Sequence, residues 1–469
     1  MVYDGDNVRD LNVAYIGGGS RGWAWGFMMD LAFDSRMCGT VALYDIDRDA
    51  AQKNQIIGSK ISEHPEARSP WRYLVAESLE QALRGADIVV ISILPGTFAQ
   101  MESDVHLPEK YGIYQPVGDT TGPGGLVRAL RTVPMITQIA EAIRAYAPLA
   151  WVINYTNPMA LCMAALYEAF PAIRAFGCCH EVFGTQNLLV AALGDILGIK
   201  GMSRYDIDVN VFGINHFTWF DAASYRGIDL FPVYRQFAEK YRETGYDNSA
   251  IENELNKNFV CFHRVKFDLF LRYGYIAAAG DRHLAEFCPP SWYAKDPRAV
   301  ERWGFAMTPV SWRIEDLAQR LKKSAALVSG ELPIEMKPSG EEGHLLIKAL
   351  LGLGDIISNV NLPNRGQIGN LPLGAVVETN ALFRRGEIRP VLAGDIPRNL
   401  AGLVSRHVCN QRLTLDAALH IDFEAALAAL LGEPLAEGLS PADARTMLRE
   451  MIGNTLAYLP AGWAAAINS

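Results

Sequence analysis

The side chains in this sequence that could do chemistry cluster where apolar runs end. Gly17, Gly19 and Gly22 form a G-x-G-x-x-G pattern after the β-rich run 12–17 and ahead of an apolar helical stretch over 23–33. Glycine at these places permits a tight turn, a close approach of backbone to a pyrophosphate and close packing of helix on strand. The N–H groups of the loop and helix start, Ser20 among them, would then receive the phosphates. Asp45 ends the next apolar run, 40–44, where a carboxylate accepts hydrogen bonds from a ribose diol and favours NAD over its 2′-phosphorylated form. Without a ligand the same residues read as a glycine-rich turn.

Four more polar clusters follow apolar runs: GDTTGPGG (118–125), NYTNPM (154–159), GCCHEV (177–182) and GINHFTWF (213–220). In an open α/β sheet the carboxyl ends of the strands line the ligand crevice, so a substrate would meet a nicotinamide there. TTGPGG also reads as a turn before a helix beginning near Leu126, and NYTNP as an Asx turn ahead of a helix whose first position is Pro158. Cys179 and His216 could share a divalent metal. By spacing alone they read as a buried thiol and a core histidine, since two ligands do not make a structural zinc site. Tyr273, Tyr275, Asp281, Arg282, His283 and Glu286 fall within one stretch, 272–287, as acids, bases or anion partners, or as ordinary surface ion pairs.

The elements that must hold these groups are legible in outline. Runs at 12–17, 40–44, 88–94, 151–155 and 173–178 alternate with helical segments, two of them at 128–146 and 159–170. This alternation implies βαβ crossovers and a doubly wound parallel sheet, an α/β fold of the Rossmann type spanning 1–205. Beyond it, 206–469 reads as an α+β domain for substrate, metal and oligomer contacts. It holds one or two strands near 209–220, helices over 314–327, 343–357 and 441–457, and a loop over 361–374.

Bulk composition narrows the class. The chain has 469 residues, half of them hydrophobic, and a formal charge of -9, which argues against nucleic acid or an anionic membrane as partner. No leader-like segment and no long apolar span are visible. Seven cysteines at irregular positions are not a disulfide framework, and a reducing cytoplasm is expected.

Taken together, IGGGSRG (16–22), TTGPGG (120–125), TNPM (156–159), C-H-E-V (179–182) and GINHFTW (213–219) make the sequence resemble glycoside hydrolase family 4. They occur in the family's order and cover approximately residues 10–290. The resemblance implies a lactate/malate dehydrogenase-like fold and hydrolysis by transient oxidation. NAD+ takes hydride from C3 of the sugar, a base removes the C2 proton, the C1 substituent leaves, water adds and the hydride returns. It implies Mn2+ or another divalent metal on Cys179 and His216, and His180 as general acid. Asp281, then Tyr275, is expected as the C2 base. Asn154 is expected at the cofactor and Asn157 at the sugar.

Glu181, after the Cys-His pair, matches members acting on α-linked uronides, glucuronides or galacturonides. Arg282 or Arg131 would hold the uronate carboxylate. A homodimer or homotetramer is expected. Two other readings share the N-terminal pattern: a plain NAD-dependent 2-hydroxy acid or sugar dehydrogenase, and a non-catalytic NAD-sensing regulator.

Overall fold

The computed structural model describes residues 1–247 and 259–468. The first half supplies β1 (Val2–Asp4), β2 (Asn7–Ile16), β3 (Met37–Tyr44), β4 (Trp71–Val75), β5 (Ile88–Ile91), β6 (Trp151–Asn154) and β7 (Arg174–Gly177). Six of these, β2 to β7, run parallel in the order β7-β6-β5-β2-β3-β4, and β1 pairs antiparallel with β2. This is the doubly wound order of a dinucleotide-binding fold, in which the chain reverses direction between β2 and β5. The strands are apolar on both faces because both faces are covered. Ala14, Ile16, Val89 and Ile91 face one core, while Val13, Tyr15, Val41 and Val90 face the other. Each Val or Ile so buried contributes about 1.5–3 kcal/mol.

The second half opens with a small antiparallel sheet: β8 (Asp208–Ile214), β9 (Phe217–Tyr225), β10 (Ile228–Asp229) and β11 (Ile276–Ala277). It then returns to the first sheet. Strands β12 (Ile356–Pro363), β13 (Val376–Arg384) and β14 (Glu387–Pro390) add to it in the order β14-β13-β12-β7, with β12 antiparallel to β7 through Asn361 and Gly177. The large sheet therefore draws strands from both sides of residue 205.

Two local expectations change. The helix expected over 343–357 is Gly343–Leu350, because Gly352 and Gly354, at φ +80° and +134°, turn the chain into β12. The helix expected from 128 begins six residues earlier as Gly122–Tyr146, with Pro123 in its first turn, where a missing N–H costs nothing. Among the described residues no helix is long and apolar enough to cross a membrane.

That long helix also settles Arg131. Its guanidinium is fully buried and bidentate to Asp104 of the helix Phe98–His106, at 3.1 and 2.5 Å. The expected role on a uronate is corrected accordingly: its two terminal nitrogens already hold a carboxylate between two helices. Replacing one partner strands the other charge, so Asp104→Ala should lower unfolding free energy by about 3–5 kcal/mol, read from denaturant midpoints. A loss below about 1 kcal/mol, the level of exposed pairs, would contradict this.

Candidate active site

The glycine loop lies at the point where the sheet reverses. Gly17 has φ +92°, and a Cβ there would stand 1.9 Å from the Ser92 carbonyl oxygen beyond β5. At Gly19 a Cβ would meet Ala50 at 2.7 Å and Asp45 at 2.8 Å. Asp45 sits against the loop, where Oδ2 accepts the Gly19 N–H at 2.8 Å and Oδ1 the Asp47 N–H at 2.9 Å. Buried Asn54 donates to the Gly18 and Ser20 carbonyls, at 2.7 and 2.9 Å, and fixes the loop from below. Ser20 closes a turn onto the Gly17 carbonyl, and Gly22 caps the helix Trp23–Phe33. The loop is a cradle that side chains would fill, which fits a dinucleotide phosphate.

Across β6, Asn154 is fully buried and bonded within its own turn. Its amide donates to the Thr156 carbonyl at 3.0 Å, and its Oδ1 accepts the Thr156 N–H at 3.2 Å. The geometry gives it the Asx turn. Asn157 differs. Its carbonyl accepts from Arg128 Nε at 3.2 Å, while its buried Oδ1 has no hydrogen-bond partner among the described residues. A buried amide oxygen left so is costly unless a ligand or water satisfies it.

Three segments meet at Asp119, His216 and His283, whose ligand-competent atoms all lie within 4.8 Å of one another. The imidazole centroids of His216 and His283 lie 3.8 Å apart, with the rings tilted by 33°. The Thr120 hydroxyl donates to Asp119 at 2.7 Å and faces His216 Nδ1 at 2.9 Å, so it accepts Nδ1–H and leaves a lone pair on Nε2. Burial and the neighbouring His283 push the His216 pKa down to about 3, and burial lowers that of His283. For Asp119, burial opposes ionisation. Arg128 and the two histidines outweigh it and hold the carboxyl below its usual range. One ionised carboxylate and two neutral imidazoles are the donor set a divalent cation accepts.

Glu181 borders this group. Its Oε1 is 3.6 Å from His283 Nε2, and its Oε2 accepts the Gly280 N–H at 2.6 Å. Burial would raise its pKa, but His283, His216 and His180 bring it down to about 2. Buried Glu286 holds the strand-end loop, accepting the Val117 and Gly118 N–H groups at 2.6 and 2.8 Å. Glu433 holds the next turn, accepting the Thr121 hydroxyl at 2.8 Å and the Gly122 N–H at 3.2 Å. From β13, Glu378 accepts Asn215 at 3.2 Å and Asn359 at 2.6 Å, and burial pushes its pKa up to about 7.

His180 stands at the mouth with its side chain half exposed. Its Nδ1 is 3.0 Å from Glu341 Oε1, and its ring lies 5.9 Å from that of Trp23. The Glu341 carboxylate raises its pKa to about 9.

Other expected positions come out differently. Asp281 is fully buried, and its two oxygens accept the Val265 and Lys266 N–H groups, each at 3.2 Å. It caps the helix Arg264–Tyr273 from a group with Cys261 and His263, and burial pushes its pKa up to about 6 against the opposing Lys266 charge. Tyr275 packs edge-on against Phe212 in an apolar cluster. Asp281 thus accepts one N–H of a helix end on each oxygen, and the Tyr275 phenol packs among hydrophobic side chains. Cys179 belongs to neither group of three ligand-competent residues found among the described residues, and its thiol hydrogen-bonds Asn215. Burial and the nearby Glu378 raise its pKa well above the usual thiol range. Arg282 is buried, stacked over Phe259 at 4.9 Å and within electrostatic range of Glu181 and Asp119.

Residues 12–195 match the family 4 glycosyl hydrolase profile, and 211–436 match the C-terminal domain of the same family. The chain belongs to family 4 of the glycosyl hydrolases. The alpha-galacturonidase of Thermoanaerobacterium saccharolyticum is 58% identical over 463 residues, 99% of each chain. A crystal structure of the lplD protein of Bacillus subtilis superposes with a TM-score of 0.89 at 50% identity, covering 94% of this family 4 chain and 100% of that one. A 6-phospho-alpha-glucosidase from gut microorganisms, in complex with NAD and Mn2+, shares the fold with a TM-score of 0.75 at 22% identity, covering 96% and 99% of the two chains.

Glu286 offers a test by pH. Burial pushes its pKa up to about 8, from an ordinary 4.5, despite the two N–H groups it accepts. A carboxyl raised on folding favours the folded state in its neutral form. Its contribution is therefore whole below the ordinary value and is lost as pH climbs through the shifted one. Glu286→Gln keeps an acceptor but cannot ionise. Its stability relative to wild type should rise between pH 5 and pH 9, by up to about 1.4 kcal/mol per pH unit across that window. Parallel pH profiles of thermal unfolding for the two proteins would refute the assignment.

Proposed function

We propose that this chain hydrolyses α-D-galacturonides, using NAD and a divalent metal ion. The observation that carries the reading is 58% identity, over 99% of both chains, to an alpha-galacturonidase. The geometry supports it at three places. Gly17, Gly19, Ser20 and Gly22 would seat the pyrophosphate, with Asp45 beneath the ribose end of the cradle. Asp119, His216 and His283 would hold the metal, and Cys179 joins that set from the family resemblance rather than from the geometry. When bound, the cofactor accepts and returns a hydride at C3 while the metal acts as a Lewis acid on the sugar oxygens.

The protein's own groups then have defined tasks. His180, with Nδ1 on Glu341 and half its side chain exposed, would donate a proton to the leaving oxygen. Asn157 Oδ1, buried and without a partner among the described residues, would accept from a sugar hydroxyl. Glu181 would fix the substrate wall through Gly280 and His283. With Arg131 committed to Asp104, Arg282 would meet the uronate carboxylate. A cytoplasmic setting agrees with seven free cysteines among the described residues. A homodimer or homotetramer belongs to the same reading.

Three measurements test this. With NAD+ and Mn2+, 4-nitrophenyl α-D-galacturonide should be cleaved faster than the α-galactoside or α-glucuronide, without lasting absorbance from NADH. Net NADH would instead mark a dehydrogenase. Product formed in D2O should carry deuterium at C2, and its absence would rule out an elimination route. Arg282→Gln should weaken inhibition by free galacturonate about 10-fold or more, as expected for a lost charged hydrogen bond. An unchanged inhibition constant would clear Arg282 of that role.

A further inference from the structure

His180 is held on two sides. On one, Nδ1 faces Glu341 Oε1 at 3.0 Å; on the other, the ring lies against Trp23 at 5.9 Å with 32° between the planes. Its Nε2 has no hydrogen-bond partner among the described residues, and half the side chain is open to solvent. Glu341 is not on a loose surface segment. Its backbone N–H donates to Ser339 Oγ at 3.0 Å. The Ser339 N–H donates to Asp30 Oδ1 at 2.9 Å, and its hydroxyl donates to Asp30 Oδ2. Asp30 belongs to the helix Trp23–Phe33, which starts at the glycine loop and also carries Trp23. The adjacent Glu342 is paired with Arg204 at 2.8 Å and accepts the Ser358 hydroxyl. Both supports of the imidazole therefore trace back to the helix that begins at the glycine loop.

An imidazole whose Nδ1–H is donated to a carboxylate keeps that proton on Nδ1, so the proton available for transfer is the one on Nε2. We propose that Glu341 is the positioning residue of His180, holding the ring against Trp23 with the proton on Nδ1 so that Nε2 serves the leaving oxygen. The role rests on reading His180 as the proton donor. In the step concerned, the C1–O bond breaks, the leaving oxygen takes the Nε2 proton, and His180 is left neutral as the Nδ1–H tautomer. Neither supporting residue needs to exchange a proton.

The test compares Glu341→Ala, Glu341→Gln and His180→Asn in the enzyme loaded with NAD+ and Mn2+ for turnover, and with NAD+ and diamagnetic Mg2+ for the spectra. Two-bond 15N–1H spectra recorded above about pH 9, where the ring is neutral, and assigned by the signal missing from His180→Asn, should show the His180 proton on Nδ1 in wild type. The Ala variant should give a mixture of tautomers, and Gln, whose amide oxygen still accepts, should restore the wild-type pattern. Turnover of methyl α-D-galacturonide, whose poor leaving group needs an acid, should fall about 100-fold or more in Glu341→Ala. Turnover of the 4-nitrophenyl glycoside should fall less than about 10-fold, and Gln should recover most of the loss. Equal losses on both substrates with an unchanged tautomer would reduce Glu341 to a structural contact and overturn the proposal. If His180→Asn shows no dependence on the leaving group, the donor reading of His180 fails, while the spectra still decide whether Glu341 sets the ring.

Discussion

A carboxyl group taken out of water must be met by donors, and around this site many of the donors are backbone N–H groups of loops and helix starts. Glu286 accepts from Val117 and Gly118, Glu433 from Gly122, Glu181 from Gly280, and Asp281 from Val265 and Lys266. The bonds of Glu286, Glu433 and Glu181 join segments far apart in sequence, and those of Asp281 span 15 and 16 residues. Together they set the height and tilt of the loops that carry Asp119, Thr120 and His283. The imidazoles and the Asp119 carboxylate then come within reach of one another without any bond between loops of the kind a disulfide would supply.

The same accounting separates groups that hold structure from groups that stay available. Arg131, Asn154 and Asp281 are as buried as the site itself, yet their main polar atoms are engaged by the protein. Asn157 Oδ1, His180 Nε2 and His216 Nε2 are left over once the internal bonds are assigned. Function is carried by what remains unspent after folding.

Much of this was readable from residue types. The switch-point loop follows from three glycines after an apolar run, and Gly17 in its left-handed conformation against Ser92 shows why no other residue serves there. His180 and His216 stand out because strand ends line crevices. What stayed hidden depends on distance along the chain. Asp119 read as part of a turn, and its neighbours His216 and His283 lie about 100 and 160 residues further on. Glu341 sits in a polar stretch, KPSGEEG, that resembles any solvated loop until folding sets it beside His180. Asp281 shows the converse: a buried acid near a histidine has the composition of a catalytic group, and only the hydrogen bonds show that it also caps a helix.

The return of β12, β13 and β14 to the first sheet bears on how the protein is made. On the ribosome, β7 emerges with its outer edge bare, and the strand that will cover it is encoded almost two hundred codons later. Through that interval the nascent chain presents an open parallel edge, the kind of surface on which strands of other molecules add. Synthesis rate and chaperone access during that window thus become determinants of yield, and the glycine-loop half is not a module to be excised, grafted or permuted at its apparent boundary.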